Sequence, residues 1–455
     1  MSETVIKKFR RRSQVPHLKS PDGPIEANQP ELNLASPAFG FNIELKLSSS
    51  PMIPIEDRAF YYFRATFVIG QSRSFQYLEE YYQGPMSVYL TLCIQAVGLA
   101  SLSKATRSSK LENHARRVYG TALQSINAAL RCPDLVRKDV NGSLDESPQR
   151  AAALMKLRRP DQFKTKMGLE IFIQMSSRMF VTCMEHEIPL PEDFLALRRF
   201  AENFMNTSDV IWRLTNITIP YIAFRAAVKS NSIKDSSRII ADAARIDAQM
   251  ARLFDDLPAL WTPQRIEVNG KSELVYEGHY NLYLDYRIAE GLNSIRGCRM
   301  ALFDIMINEA TKITGTLEDY FTTCSLSSDT ATCVQLARKS LAETTSLICA
   351  CVPQLAGYVA RLDSEPCHTI TPLADLRIDT SNTASAYALL WPLFAGANSP
   401  HTEPSAKKWI VKQLTLIGQL YDIEKAAELA SILESGVKMD IWRVYAMVGS
   451  ICYSS

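Results

Sequence analysis

The stretch from Ser87 to Arg131 constrains the fold most. Two helical periodicities follow one another there with only a short polar break. From about Val88 to Lys104 the chain is apolar nearly all round, with Leu90, Leu92, Ile94, Val97, Leu99 and Leu102. A helix of that kind is expected in a core. The second helix opens at Ser109-Lys-Leu-Glu112, which has the spacing of a capping box. Leu111, Ala115, Val118, Ala122, Ile126 and Ala129 then recur at steps of four and three, one helical stripe. Pro133 marks the stop. Small residues (Ala96, Gly98, Ala100, Ala115, Gly120, Ala122) permit close approach. The reading is a helical hairpin buried in a larger helical body.

The rest of the chain keeps that character. Helices are predicted over Glu56–Ile69, Phe75–Tyr82, Gln149–Arg158, Met167–Glu185, Phe194–Phe204, Thr207–Lys229 and Ile233–Phe254. Further helices are predicted over Tyr280–Ile313, Asp329–Pro353, Thr383–Phe394, Ser405–Tyr421, Glu424–Leu433 and Asp440–Cys452. One strand pair stands out, Arg265 to Tyr276 around Asn269-Gly270, a turn that favours positive φ. It is expected as a small exposed excursion. The fold class is therefore all-α, an array of antiparallel helix pairs with one small β-hairpin. No fixed repeat period occurs. Residues 1–54 read differently. Prolines 16, 21, 24, 30, 37, 51 and 54 sit among Ser, Asn and Gly, which predicts an unpacked, basic, proline-rich leader before a helical domain over 55–455.

Bulk properties exclude some classes. With 47% hydrophobic and 22% charged residues, the 455-residue chain has an ordinary globular composition. A net charge of +2 rules out a nucleic-acid polycation. Ten scattered cysteines include no CxxC pair, which points to reduced thiols rather than a disulfide framework. The basic N-terminus lacks a following apolar run, so no signal peptide is expected. No run of 18 apolar residues occurs, so no membrane span is expected either; Ile348 to Val359 comes nearest.

Chemical motifs are sparse. Lys7, Lys8, Arg10, Arg11 and Arg12 form a basic cluster, an address for the nucleus or a phosphate-contacting arm, against the plainer reading of a solvated charge run. Asn293, Arg296 and Arg299, at steps of three, share a helix face. They suit either an anionic ligand or a structural brace, and arginine favours the brace. Met184-Glu-His-Glu187 lacks the second His of a zinc-hydrolase helix, so no metal is assigned. No phosphate-binding glycine loop and no nucleophile elbow occurs. With no nucleophile, base and orienter together, the expectation is that the chain is not an enzyme.

From about Ile55 onward, a series of motifs recurs in a particular order. They are Ala59-Phe-Tyr-Tyr-Phe63, Ile94-Gln-Ala-Val-Gly-Leu-Ala100, Ala115 to Leu123, Gln149 to Arg158, Pro160-Asp-Gln-Phe163 with Gly168, Asn293-x-x-Arg296-x-x-Arg299, Tyr387 to Leu393, then Trp409, Leu414, Ile417-Gly418 and Ala426. In this order the chain resembles the regulatory region of fungal zinc-cluster transcription factors. The resemblance implies a nuclear regulator of a metabolic or secondary-metabolite gene cluster, acting through transcriptional co-regulators, with a homodimer open. It also implies two zinc ions on six cysteines that place a helix in the DNA major groove. No cysteine precedes Cys93, so the zinc ligands are absent here. DNA is then expected to be reached weakly or through a partner. Either a truncated product or a zinc-less member fits; the alternative function is a helical scaffold or dominant-negative partner that does not touch DNA. A second departure is the polar stretch Asp139 to Ser147, where the family carries another apolar helix.

Overall fold

The computed structural model describes residues 53–69, 75, 78, 79, 82, 84, 86–130, 148–157, 160–270, 272–314, 328–359, 370–376 and 382–448. The leader up to Met52 with its basic cluster, most of the helix predicted over 75–82, and the polar stretch Asp139–Ser147 lie outside them. The fold is all-α with one two-stranded antiparallel sheet.

In chain order the first helices are α1 (Ile55–Phe63, continued by a π turn over Arg64–Val68), α2 (Val88–Ala105) and α3 (Ser109–Leu130). Next come α4 (Pro148–Leu157), α5 (Lys166–His186), α6 (Glu192–Ala201), α7 (Val210–Lys229) and α8 (Ser236–Asp255). Strands β1 (Gln264–Glu267) and β2 (His279–Leu282) lead into α9 (Tyr286–Thr314). The chain then forms α10 (Ser328–Cys349), α11 (Val352–Leu355), α12 (Thr383–Ala388), α13 (Leu390–Asn398), α14 (Pro404–Tyr421), α15 (Glu424–Ser435) and α16 (Ile441–Val448).

The organising element is α9. Every residue from Gly291 to Cys298 is buried, and α7, α8, α10, α12 and α13 pack around it. One apolar core runs from Ala152 in α4 to Val448 in α16. Close packing explains the glycine at 297. A Cβ there would stand 2.2 Å from the Trp391 ring, so only glycine lets the indole lie against α9. Trp391 in turn packs on Trp442 and Tyr445.

The α2–α3 hairpin does not occupy the centre. With α1 it forms two small apolar clusters, one around Ala59, Leu99 and Ala115 and one around Phe63, Val68, Leu78 and Ile94, both distinct from the main core. Leu99 and Leu102 are buried, but Val118 is half-buried and Leu123 is exposed. Only a third of α2 is buried, with Val88, Tyr89 and Val97 facing solvent. The all-round apolar pattern thus marks a helix with one partnered side, not a core helix. The count of consecutive apolar residues also missed a property of α2. By length and mean hydropathy it is the one helix among the described residues apolar enough to cross a bilayer, a test that core helices also pass. Gly98 fixes the α1–α2 contact, since a Cβ there would fall 2.0 Å from the Ala59 carbonyl oxygen.

Several boundaries differ from the sequence reading for local reasons. The cap of α3 is Ser108, not Ser109; its Oγ accepts from the Leu111 N–H at 3.4 Å. Glu112 turns outward to Arg116 at 2.7 Å instead of closing a capping box. The strand pair is also re-registered. Gln264 to Glu267 pairs with His279 to Leu282, and Gly270, at φ +92°, sits inside the connecting loop. Burial decides this register. Tyr280 and Asn281 lie in the interior, where the Asn281 N–H donates to the Ala350 carbonyl at 2.8 Å. Leu274 and Val275, read as a strand, instead enter the core from the loop. The sheet is therefore half-internal rather than an exposed excursion, and it delays the start of the long helix from Tyr280 to Tyr286. Asp285 Oδ1 then accepts from the Arg287 N–H at 2.9 Å. The predicted helix over 383–394 divides at Leu389, and Pro392 falls in the first turn of α13, where a missing N–H costs nothing.

Candidate functional site

The polar residues of α9 diverge. Asn293 and Arg296 are buried and meet directly, Arg296 Nη1 donating to Asn293 Oδ1 at 2.7 Å. The same Nη1 donates to the Tyr283 hydroxyl at 3.3 Å and faces Cys351 Sγ at 3.6 Å. Tyr283 OH and Cys351 Sγ stand 3.4 Å apart. Arg299 turns away to α8, where Nε and Nη2 grip Asp247 at 2.6 and 3.3 Å. The shared face thus splits after one turn into a buried knot and a mostly covered ion pair.

The knot joins three segments. Tyr283 comes from the β2–α9 connection, Asn293 and Arg296 from α9, and Cys351 from the α10–α11 turn. Gln354 doubles the join, taking the Tyr283 N–H on Oε1 at 2.7 Å and giving Nε2–H to the Tyr283 carbonyl at 2.7 Å. Among the described residues Arg296 hydrogen-bonds with a carboxamide, a phenol and a thiol and lies 5.8 Å from the centre of the Phe254 ring, while its Nε has no hydrogen-bond partner. Burial pulls the guanidinium pKa down, but Tyr283 and Cys351 outweigh that and hold it above its ordinary value. Burial likewise pushes the Tyr283 phenol well up. Cys349, two residues before Cys351, is buried on its own account, and that burial raises its thiol pKa. Asn293, Arg296, Tyr283 and Cys351 are all buried, and their contacts hold the three segments together.

A second polar junction had no local signal in the sequence. Arg225 of α7 is buried and pairs with Glu187 Oε1 at 2.7 Å and Asp440 Oδ2 at 2.6 Å. Glu187 ends α5 in the left-handed conformation, φ 51°, and also holds Lys229 at 3.0 Å. Asp440 caps α16, Oδ1 accepting from the Trp442 N–H at 2.9 Å. Burial raises the Glu187 carboxyl pKa, but Lys229 and Arg225 outweigh it and keep it below the usual range. One guanidinium therefore ties three helix ends, and its partner Asp440 lies 215 residues away. A third buried cation, Arg198, lies 3.7 Å above the Trp212 ring and donates to Asn216 at 2.9 Å and Thr215 at 2.5 Å. Burial lowers its pKa to about 10.

The histidines and acids are dispersed. His114 Nε2 meets Glu56 Oε1 at 2.9 Å and so links α3 to α1. His279 is buried on β2. Among the described residues no three His, Cys, Asp or Glu side chains gather as a metal-holding group. An open trough of about 600 Å³ at the far end of α9 is lined by Val228, Ile305, Asn308, Glu309, Thr311 and Lys312. Its one carboxylate is already held, Glu309 taking Ser236 at 2.6 Å and Lys312 at 2.5 Å.

The basic residues Lys7, Lys8, Arg10, Arg11 and Arg12 lie outside the described residues. Of the site residues named from sequence, Asn293 and Arg296 come together and Arg299 does not join them. Tyr283, Cys351, Arg225, Glu187 and Asp440 were missed, because each matters through a neighbour distant in sequence. In comparisons with protein families, characterised proteins and solved structures, the chain matches none.

Proposed function

We propose that the chain is the regulatory region of a fungal zinc-cluster-type transcription regulator. It acts in the nucleus on a metabolic gene cluster by binding co-regulators, without catalysis, and it reaches DNA through a partner. One observation carries the reading: Ala59, Gly98, Phe163, Gly168, Trp391 and Gly418, all residues of the resemblance, fall where helices touch. Ala59 and Gly98 make the α1–α2 contact. Phe163 is buried, and Gly168 lies so close to Gln162 that a Cβ would fall 1.8 Å from its carbonyl oxygen. Trp391 lies on Gly297, and Gly418 on the α15 residues Ala426 and Ala427. Motifs spent on packing fit a domain whose output is a surface rather than a reaction.

The test is a tethering experiment. The full chain is fused to an unrelated DNA-binding domain and placed upstream of a reporter in a fungal host. Transcription is expected to change at least several-fold, in either direction, with the chain in the nucleus. The untethered chain is expected to give no specific band shift with promoter DNA. An inert tethered chain that is folded and nuclear would sink the proposal in favour of the scaffold reading.

A further inference from the structure

We propose that the α2–α3 hairpin is a docking surface for an acidic, amphipathic peptide segment of a partner protein. The inference goes beyond the proposed function and stands without it. It starts from charge. Residues 88–130 carry five cations (Lys104, Arg107, Lys110, Arg116, Arg117) and one acid, Glu112. That is a net charge of +4, whereas the whole chain has +2, so the remainder is slightly acidic.

The internal pairings leave most of that charge outward. Arg116 is shared with Glu112 at 2.7 Å, yet its side chain remains 74% exposed. Arg107 stands 3.5 Å from Asp422, with both side chains in solvent. Arg117 reaches the His114 ring at 3.4 Å. Apolar groups lie among these cations. On α3, Arg116, Tyr119 and Leu123 follow at steps of three and four and form one exposed stripe. Gly120, beside Tyr119, has open space where a Cβ would stand, so a partner backbone can come close. On α2, Tyr89, Val97 and Ala100 share the solvent side and lead to Lys104.

This combination selects among occupants. A second copy would bring two surfaces of +4 together, and like charges across an interface are costly. Phosphate backbones match cations but make no use of Val97 and Leu123. A bilayer surface has anionic headgroups for the cations but no carboxylate-bearing helix to lie along the Arg116–Tyr119–Leu123 stripe, and the vesicle arm of the test below separates the two. An acidic helix with one apolar face satisfies both features: its carboxylates meet the arginines and its apolar face covers the stripe.

The test uses the full chain and a fluorescein-labelled model peptide with Leu and Phe on one helical face and Glu on the other. Saturable binding by anisotropy is expected, weakening with salt. Arg116→Glu with Arg117→Glu is expected to weaken it at least about tenfold, as is Tyr119→Ser with Leu123→Ser. All four positions are exposed or carry exposed side chains, and circular dichroism confirms that the variants fold. The proposal is overturned if polyglutamate binds as well as the peptide, or if the substitutions leave peptide binding unchanged. It is also overturned if duplex DNA or anionic vesicles bind more tightly than the peptide and lose binding in the same variants. Self-association abolished by those substitutions would likewise replace the peptide with a second copy.

Discussion

The α1–α3 unit and the body around α9 are built from the same kind of sequence yet stabilised differently. Both use apolar helices and close glycine contacts. In the body, α9 is enclosed by five helices, and buried polar knots such as Arg225–Glu187–Asp440 tie remote segments. In the unit, three helices share small clusters; its His114–Glu56 link is half-buried, and the Arg107–Asp422 pair that reaches the end of α14 is exposed. A helix gains stability only from the face it buries, so equal hydrophobicity yields unequal stability. The body is expected to unfold as one unit, and α1–α3 to open at lower cost, exchanging its amides first.

Arg225→Ala would strain this comparison most. It strips two carboxylates of a buried partner, and such losses cost about 3–5 kcal/mol. Chemical denaturation should show that loss in the body transition. Gly297→Ala forces a methyl group into the Trp391 indole and should cost up to about 3 kcal/mol in the same transition. Gly98→Ala makes an equally close approach to a carbonyl oxygen, but its effect should be confined to α1–α3. Hydrogen exchange should then quicken over residues 88–130 while α9 keeps its protection. Equal quickening in α9 would mean that the two regions are one cooperative unit.

A pH effect separates the regions further. Asp304 of α9 is raised to about 6, chiefly by burial, although Ser399 donates to Oδ1 at 2.5 Å. A carboxyl raised in the fold binds its proton more tightly folded than unfolded. Its contribution is therefore fully favourable at low pH and is lost as pH rises from about 4 through about 6. Asp304→Asn should stabilise the body by up to about 3 kcal/mol at neutral pH and remove that fall from the stability–pH curve. Glu187, held below the usual range, acts oppositely: its contribution is present at neutral pH and fades as acid protonates it. The smallest effect belongs to Arg107→Ala. The Arg107–Asp422 pair is solvent-exposed, so no measurable change in melting temperature is expected.

How much was legible depended on the range of the interaction. Helical periodicity placed most helices within a few residues, because turn-to-turn spacing is local. The motif residues Gly98, Gly168, Trp391 and Gly418 could be quoted before their contacts were known. The arginine knots could not be read, since nothing near Arg225 points to Asp440. Asn293, Arg296 and Arg299 showed the limit within one helix. Their spacing gave a shared face, but the neighbouring α8 and the α10–α11 turn divided it.

Sequence alone determined the all-α class, the positions of most helices and the existence of one small strand pair near Asn269-Gly270, but not its partner strand. These follow from apolar spacing and turn chemistry within a few residues. Tertiary structure decided which apolar faces are covered, and so moved the centre from the Ser87–Arg131 hairpin to α9. It also decided that β1 pairs with His279–Leu282 instead of the strand next to Asn269-Gly270. Burying Tyr280 and Asn281 against α11 and the α10–α11 turn outweighs a favourable local turn, and that competition is settled only when distant segments meet.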